Sequence, residues 1–156
     1  MLMDGDGVPE YVVNSYGPAN AMMAYRFAKG AGGEPILTPW MIQPGAPFVN
    51  GHGIGFGDVN GDGRKDLLEK DGWWEQPASL AGDPVWKHHP YTFGTGGAQM
   101  YAYDVNGDGL NDVITSFAAH GFGLVWYEQV RAGDDSTFKQ HVILNTEQKR
   151  IPNKYG

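Results

Sequence analysis

Apolar and aromatic residues along the chain come in short runs, each closed by a cluster of Gly, Pro, Asp or Asn. Runs of this length with β-branched and aromatic content read as strands rather than helices. Four fall at 54–59, 65–69, 73–76 and 85–91, and four more at 99–105, 112–117, 123–129 and 138–144. Three others lie at 11–15, 22–27 and 36–42. With 24 glycines and 10 prolines in 156 residues, about one position in five breaks regular structure, against the usual ~12%. Long helices are not expected, and the fold class is all-β.

The strand groups repeat. Asp58-Val59-Asn60-Gly61-Asp62-Gly63 recurs as Asp104-Val105-Asn106-Gly107-Asp108-Gly109, and each copy runs on to a further acid, Asp66 and Asp112. The likeness continues downstream. Trp73-Trp74-Glu75-Gln76 matches Trp126-Tyr127-Glu128-Gln129, and Trp86-Lys87-His88-His89 matches Phe138-Lys139-Gln140-His141. An earlier copy opens with Asp4-Gly5-Asp6-Gly7-Val8-Pro9-Glu10, where the first acid of the pattern would fall on Leu2. Four strands every ~40–50 residues is the period of a β-propeller blade. The expected organisation is an incomplete blade over 1–47, a second over 48–92, a third over 93–145 and a linker over 146–156. That amounts to a partial propeller of antiparallel four-stranded blades.

Both intact loops read D-x-N-x-D-G-x-x-D, a spacing suited to Ca2+. This ion takes six to eight hard oxygens, and alternate side chains of a tightly wound loop converge on one point. The first set is Asp58, Asn60, Asp62 and Asp66 with the carbonyl of Arg64. The second is Asp104, Asn106, Asp108 and Asp112 with the carbonyl of Leu110. Asp4, Asp6 and Glu10 form a degenerate third set. A single such loop could be a solvated Asx-type turn, but two copies in register favour metal. The first loop also fits the EF-hand spacing through Glu69. Its approach, Gly51-His52-Gly53-Ile54-Gly55-Phe56-Gly57, is too glycine-rich for the helix an EF-hand or a dockerin requires.

On these loops, on Phe56-Gly57 before the first of them, and on the four-strand period, the chain resembles the FG-GAP or VCBS repeat family, the blades of integrin-α-type β-propellers. The resemblance implies calcium loops that join the innermost strand of a blade to the second and stabilise the fold. In the third copy Ala102-Tyr103 replaces Phe-Gly, so only its acidic positions carry over. Were the acidic loops on one face, strand alternation would send 43–53, 70–72, 92–98 and 117–122 to the other. His52, His120 and Phe122 are therefore the candidate ligand-face residues, against the plainer reading of surface loop side chains. Trp73, Trp74, Trp86, Trp126 and Tyr127 are read as packing residues, and His88, His89 and His141 as structural.

Charge and composition narrow the partners. Eleven Lys and Arg against eighteen Asp and Glu leave a formal charge of −7, which argues against a nucleic-acid footprint. No run is long enough to span a membrane, and no signal peptide opens the chain. The expected cofactor is Ca2+ at two sites, with the third degenerate. The expected partner is a polysaccharide or protein ligand, in an extracellular or periplasmic setting where calcium is plentiful. The leading expectation is a non-catalytic recognition or adhesion segment. One alternative is part of a calcium-dependent, polysaccharide-lyase-like enzyme using His52, His120 and Lys70, and another is a purely structural assembly unit. Propellers close with ~4–8 blades, so under three blades implies the remainder of a longer chain or a homo-oligomer.

Overall fold

The structure is a computed structural model, and its described residues are 3–14, 22–41, 52–82, 84–133 and 135–144. The expected linker at 146–156, the segment 43–51, and Leu2, Asp83 and Asp134 lie outside them. Every described element is a strand: β1 (Tyr11–Asn14), β2 (Met22–Lys29), β3 (Pro35–Met41), β4 (Ile54–Gly57), β5 (Asp66–Glu69), β6 (Gly72–Glu75), β7 (Lys87–Pro90), β8 (Gln99–Tyr103), β9 (Asp112–Ser116), β10 (Leu124–Ala132) and β11 (Asp135–Leu144). Each matches a run read from the sequence. The last two are longer than the pattern suggests, because they form one hairpin with Val125 opposite Val142 and Ala132 opposite Asp135.

The chain divides into two compact units, Met1–Gly51 with Trp74–His88, and His52–Trp73 with His89–Gly156. The first holds the antiparallel sheet β1-β2-β3, in which Tyr11 faces Tyr25 and Phe27 faces Leu37. The remaining strands form an eight-stranded sheet in the order β11-β10-β9-β8-β4-β5-β6-β7. This order contains the two anticipated four-strand sets, each wound outward from its first strand. They are not separate sheets, however. Their first strands, β4 and β8, pair in parallel, with Ile54 opposite Gln99 and Phe56 opposite Tyr101.

Glycine makes that parallel seam. A Cβ on Gly55 would lie 1.9 Å from the Met100 carbonyl oxygen, and one on Gly57 would lie 2.3 Å from the Ala102 Cβ. No side chain fits in either gap, so the Gly-x-Gly alternation of β4 is what admits β8 as a neighbour. The same parallel pairing sets polarity. Both acidic loops leave the C-terminal ends of β4 and β8, and the segments entering these strands meet at the other end.

The second unit is held by a core containing Val59, Leu68, Trp73, Phe93, Met100 and Tyr127. Phe93 is fully buried and packs edge-on against Tyr127 and Phe138, with centroids 5.1 and 5.0 Å away. Such pairs add ~0.5–1.5 kcal/mol beyond simple burial. Burial also pushes the Tyr127 phenol up to about 12, with a smaller contribution from the charge of Tyr91.

The repeated Trp and His positions are packing devices. Trp73 stacks on His89 at 3.9 Å and Trp126 on His141 at 4.4 Å; the latter residues sit opposite each other on β10 and β11. In the first unit Trp74 stacks on His88. Trp73, Trp74, Trp86 and Tyr127 are buried, whereas Trp126 is half-exposed. His141 Nε2 lies 2.6 Å from Glu128 Oε2. That hydrogen bond, aided by the Lys139 and His141 charges, holds the Glu128 carboxyl below the usual carboxylate range.

Candidate metal loops and an imidazole pair

The loop after β4 and the loop after β8 are wound by the same hydrogen bonds. Asp58 Oδ1 accepts from the amides of Gly61 and Asp62 at 2.7 and 3.0 Å, and Asp104 Oδ1 accepts from Gly107 and Asp108 at 2.7 and 3.1 Å. The other oxygens of these two carboxylates accept from Gly63 at 2.8 Å and Gly109 at 2.9 Å. Asp62 Oδ1 takes the Arg64 amide, and Asp108 Oδ1 the Leu110 amide, both at 2.8 Å. The last acid closes each loop, with Asp66 Oδ2 accepting from the Val59 amide and Asp112 Oδ2 from the Val105 amide.

Glycine is required at two places in each winding. Gly61 and Gly107 both have φ of 80°, and Gly63 and Gly109 have φ of 86° and 85°, a left-handed backbone that other residues adopt at a cost. Asp66 and Asp112 are fully buried at the strand starts. Asn60 and Asn106 each donate to the following aspartate, at 3.0 and 2.9 Å. The donor set of each loop is therefore three carboxylates and one amide, the hard-oxygen chemistry that Ca2+ takes, but among the described residues the structure brings three carboxylates within 4.8 Å of one another at Asp4, Asp6 and Glu10 and not in these two loops.

The first loop repeats the scheme in part. Asp4 accepts from Asp6, and Asp6 from Val8, while Glu10 closes the loop by accepting the Met3 amide at 2.7 Å. The carboxylates of Asp4, Asp6 and Glu10 lie within 4.8 Å of one another. A cation already stands beside them, because Arg26 of β2 pairs with Asp4 at 3.1 Å.

Sequence reasoning missed how these loops are supported. Gln129, buried on β10, donates Nε2 to the Val59 carbonyl at 2.8 Å and to the Asn111 carbonyl at 2.7 Å. Its counterpart Gln76 donates to the Met3 carbonyl at 3.0 Å, and Met3 holds in its loop the place of Val59. Each Gln of the aromatic-x-Glu-Gln strand thus clasps the loop of the preceding repeat. The recurrence of Glu-Gln was visible in the sequence, but its target lies about 70 residues upstream, so no local pattern reveals it. Asn111 and Arg131 add donors to the carbonyls of Asp58 and Asn60.

At the opposite end of β4 and β8 stand the histidines. His52 precedes β4, and His120 lies in the 117–123 connection between β9 and β10. Their Nε2 atoms are 2.8 Å apart, with ring centroids at 4.5 Å and planes at 82°. They line a shallow cavity of about 320 Å³ together with Thr95, Gly96 and the turn of Ala118, Ala119 and Gly121. The loops are tied to each other: Ala119 donates to the Gly96 carbonyl at 2.8 Å, Ala98 to Ser116 Oγ at 2.9 Å, and Ile54 to the Ala98 carbonyl at 3.3 Å. Phe122 is exposed and does not line the cavity. Lys70 is not brought to the histidines either, as its ammonium pairs with Asp71.

These features define a class: an all-β repeat protein with wound acidic loops at the exits of paired first strands. Residues 3–69 match the family model of the FG-GAP-like repeat, the family that the motifs of the chain resemble. The match spans the first two acidic loops, and the loop at Asp104–Asp112 joins them through its hydrogen-bond pattern. No curated protein and no solved structure matches the chain. Among the described residues no helix is long and apolar enough to cross a membrane. FG-GAP repeats occur in extracellular proteins, and the repeat with its β-propeller-like sheet suggests a recognition module of that kind.

Proposed function

We propose that the chain is a calcium-binding segment of β-propeller type that serves extracellular recognition, with Ca2+ held by Asp58, Asn60, Asp62 and Asp66 and by Asp104, Asn106, Asp108 and Asp112. The carbonyls of Arg64 and Leu110 complete the two sets. Asp4, Asp6 and Glu10 form a weaker third set, since that loop offers fewer ligands and Arg26 already partly neutralises it. The observation that carries this reading is the bond-for-bond agreement of two loops that each place three carboxylates within nine residues. Such a concentration of like charge is unfavourable until a cation offsets it.

When bound, the ion supplies charge neutralisation and a rigid cross-link between strands. The chain's own residues do the rest. Backbone amides of Gly61, Asp62 and Gly63 hold the Asp58 carboxylate in place, and Gln129 fixes the loop from outside. Recognition falls to the opposite loops, where the cavity beside His52 and His120 is a concave surface for a carbohydrate or protein ligand. Lys70, the third residue of the lyase-like alternative, pairs with Asp71 and does not line it, and among the described residues no carboxylate does. That favours binding over turnover.

Calcium titration by calorimetry tests the metal part, with two equivalents expected. Loss of one equivalent in Asp62→Ala and of the other in Asp108→Ala would assign them, and heats indistinguishable from magnesium would end the reading. A polysaccharide binding screen tests the recognition part. Saturable binding without product release is expected, and turnover abolished by His120→Ala would overturn it.

A further inference from the structure

We propose that His52 and His120 form a second kind of metal site, for a borderline divalent transition ion such as Zn2+, Ni2+ or Cu2+, bound by the two facing Nε2 atoms with its remaining positions open to the cavity.

The disposition of the rings carries this. In a straight N–H···N hydrogen bond the ring axes point at one another, and two imidazoles with nitrogens 2.8 Å apart would have centroids separated by about 5 Å. The observed separation is 4.5 Å, so the ring axes are bent away from the N···N line. Where both rings bend to the same side, their axes meet about 2 Å from each nitrogen, the length of a metal–imidazole bond. An ion at that point would take the two Nε2 atoms in cis positions of its coordination sphere.

The surroundings suit such an ion. Both histidines are exposed, so the imidazoles are accessible, and among the described residues neither is engaged by a carboxylate as His141 is by Glu128. Cβ placement on Gly96 would put it 2.7 Å from the His52 carbonyl. The 92–98 loop therefore packs directly against the backbone that carries one ligand, and Ala119, next to the other, is bonded to Gly96. The bite is built on three tied loops rather than on two free side chains. Nitrogen ligands separate this site from the acidic loops, since imidazole suits zinc, nickel and copper whereas Ca2+ takes oxygen. Open positions beside a cavity would let the ion accept an oxygen or nitrogen donor from a bound ligand. The proposal stands whether or not the acidic loops hold calcium.

The full chain, saturated with calcium, is titrated with Zn2+ and with Ni2+ by calorimetry. One equivalent is expected to bind saturably, and His52→Gln and His120→Gln are each expected to abolish it while calcium binding is retained. Absence of a saturable phase, or a phase that survives both substitutions, overturns the proposal. Should a variant fold poorly, imidazole nitrogen NMR of the unmodified chain decides. Zn2+ is expected to shift the Nε2 resonances of His52 and His120, and shifts confined to His88, His89 or His141 overturn the site.

Discussion

The loops at Asp58–Asp66 and Asp104–Asp112 have the same proposed ligands and the same internal bonds, yet among the described residues they are not equally supported. Three side chains of the following repeat reach the carbonyls of Asp58, Val59 and Asn60: Asn111, Gln129 and Arg131. No side chain among the described residues reaches the carbonyls of Asp104, Val105 or Asn106. A second difference acts inside the loops. Arg64 places its guanidinium on Asp62, whereas Leu110 occupies that position in the other copy and brings no charge. The ligand set is thus a local, copied property, while its rigidity and its charge balance are set by neighbours that the repeat does not copy faithfully.

The largest expected effect is removal of the ion from both loops. Each independent site contributes ~2.7 kcal/mol at a hundredfold excess of calcium over Kd, so chelation should lower unfolding free energy by about 5 kcal/mol. Thermal melts with and without chelator measure it, and coincident curves would show that neither loop is a site. If instead the loops bind with a single affinity, their unequal support has no consequence for metal.

Gln129→Ala comes next. The side chain is buried, and its loss strips the partner from the Val59 carbonyl and one from Asn111, also leaving Ser136 Oγ without its bond at 3.3 Å. Unsatisfied buried polar groups cost ~1–3 kcal/mol each, and a destabilisation of about 2–3 kcal/mol by urea titration is expected. Calcium affinity should fall more at Asp58–Asp66, whose turn loses its buried clasp, than at Asp104–Asp112, where the side chain holds the Asn111 carbonyl next to Asp112. Equal losses at both would mean that Gln129 supports the core and not one loop.

This distinction explains what was legible in the sequence. The winding of the acidic loops could be read directly, because a loop of nine residues closes on itself through its own Asp side chains and Gly amides. The strands could be read for the same reason, as their period is local. The Gln129 clasp and the direct Nε2 contact of His52 with His120, two residues the sequence places only on a common loop face, could not, since both depend on β4 and β8 pairing in parallel, a register that only Gly55 and Gly57 hint at. One signal for the histidines was present. Residues 70–71 connect β5 to β6, but 117–123 connect β9 to β10, and His120 lies in that longer connection. A departure from the repeat marked the place where something new is built.

Arg131→Ala probes the same support at the surface. Its bond to the Asn60 carbonyl is 2.8 Å long but exposed, so a loss of about 0.5–1 kcal/mol is expected. An effect as large as that of Gln129→Ala would mean that burial is not what makes the clasp strong.

The smallest effect tests charge balance alone. Arg64 and Asp62 are about a quarter to a third exposed, at 34% and 23%, and such pairs are worth ~0–1 kcal/mol. An ion entering the first loop must share Asp62 with the guanidinium, so Arg64→Leu should tighten calcium there by up to about fivefold. The reciprocal Leu110→Arg should weaken calcium at Asp104–Asp112 by a similar factor. Because these are exposed charges, both shifts should shrink as salt is raised. If the pair of substitutions moves the two affinities in the same direction, the guanidinium acts through the loop's backbone and not through its charge.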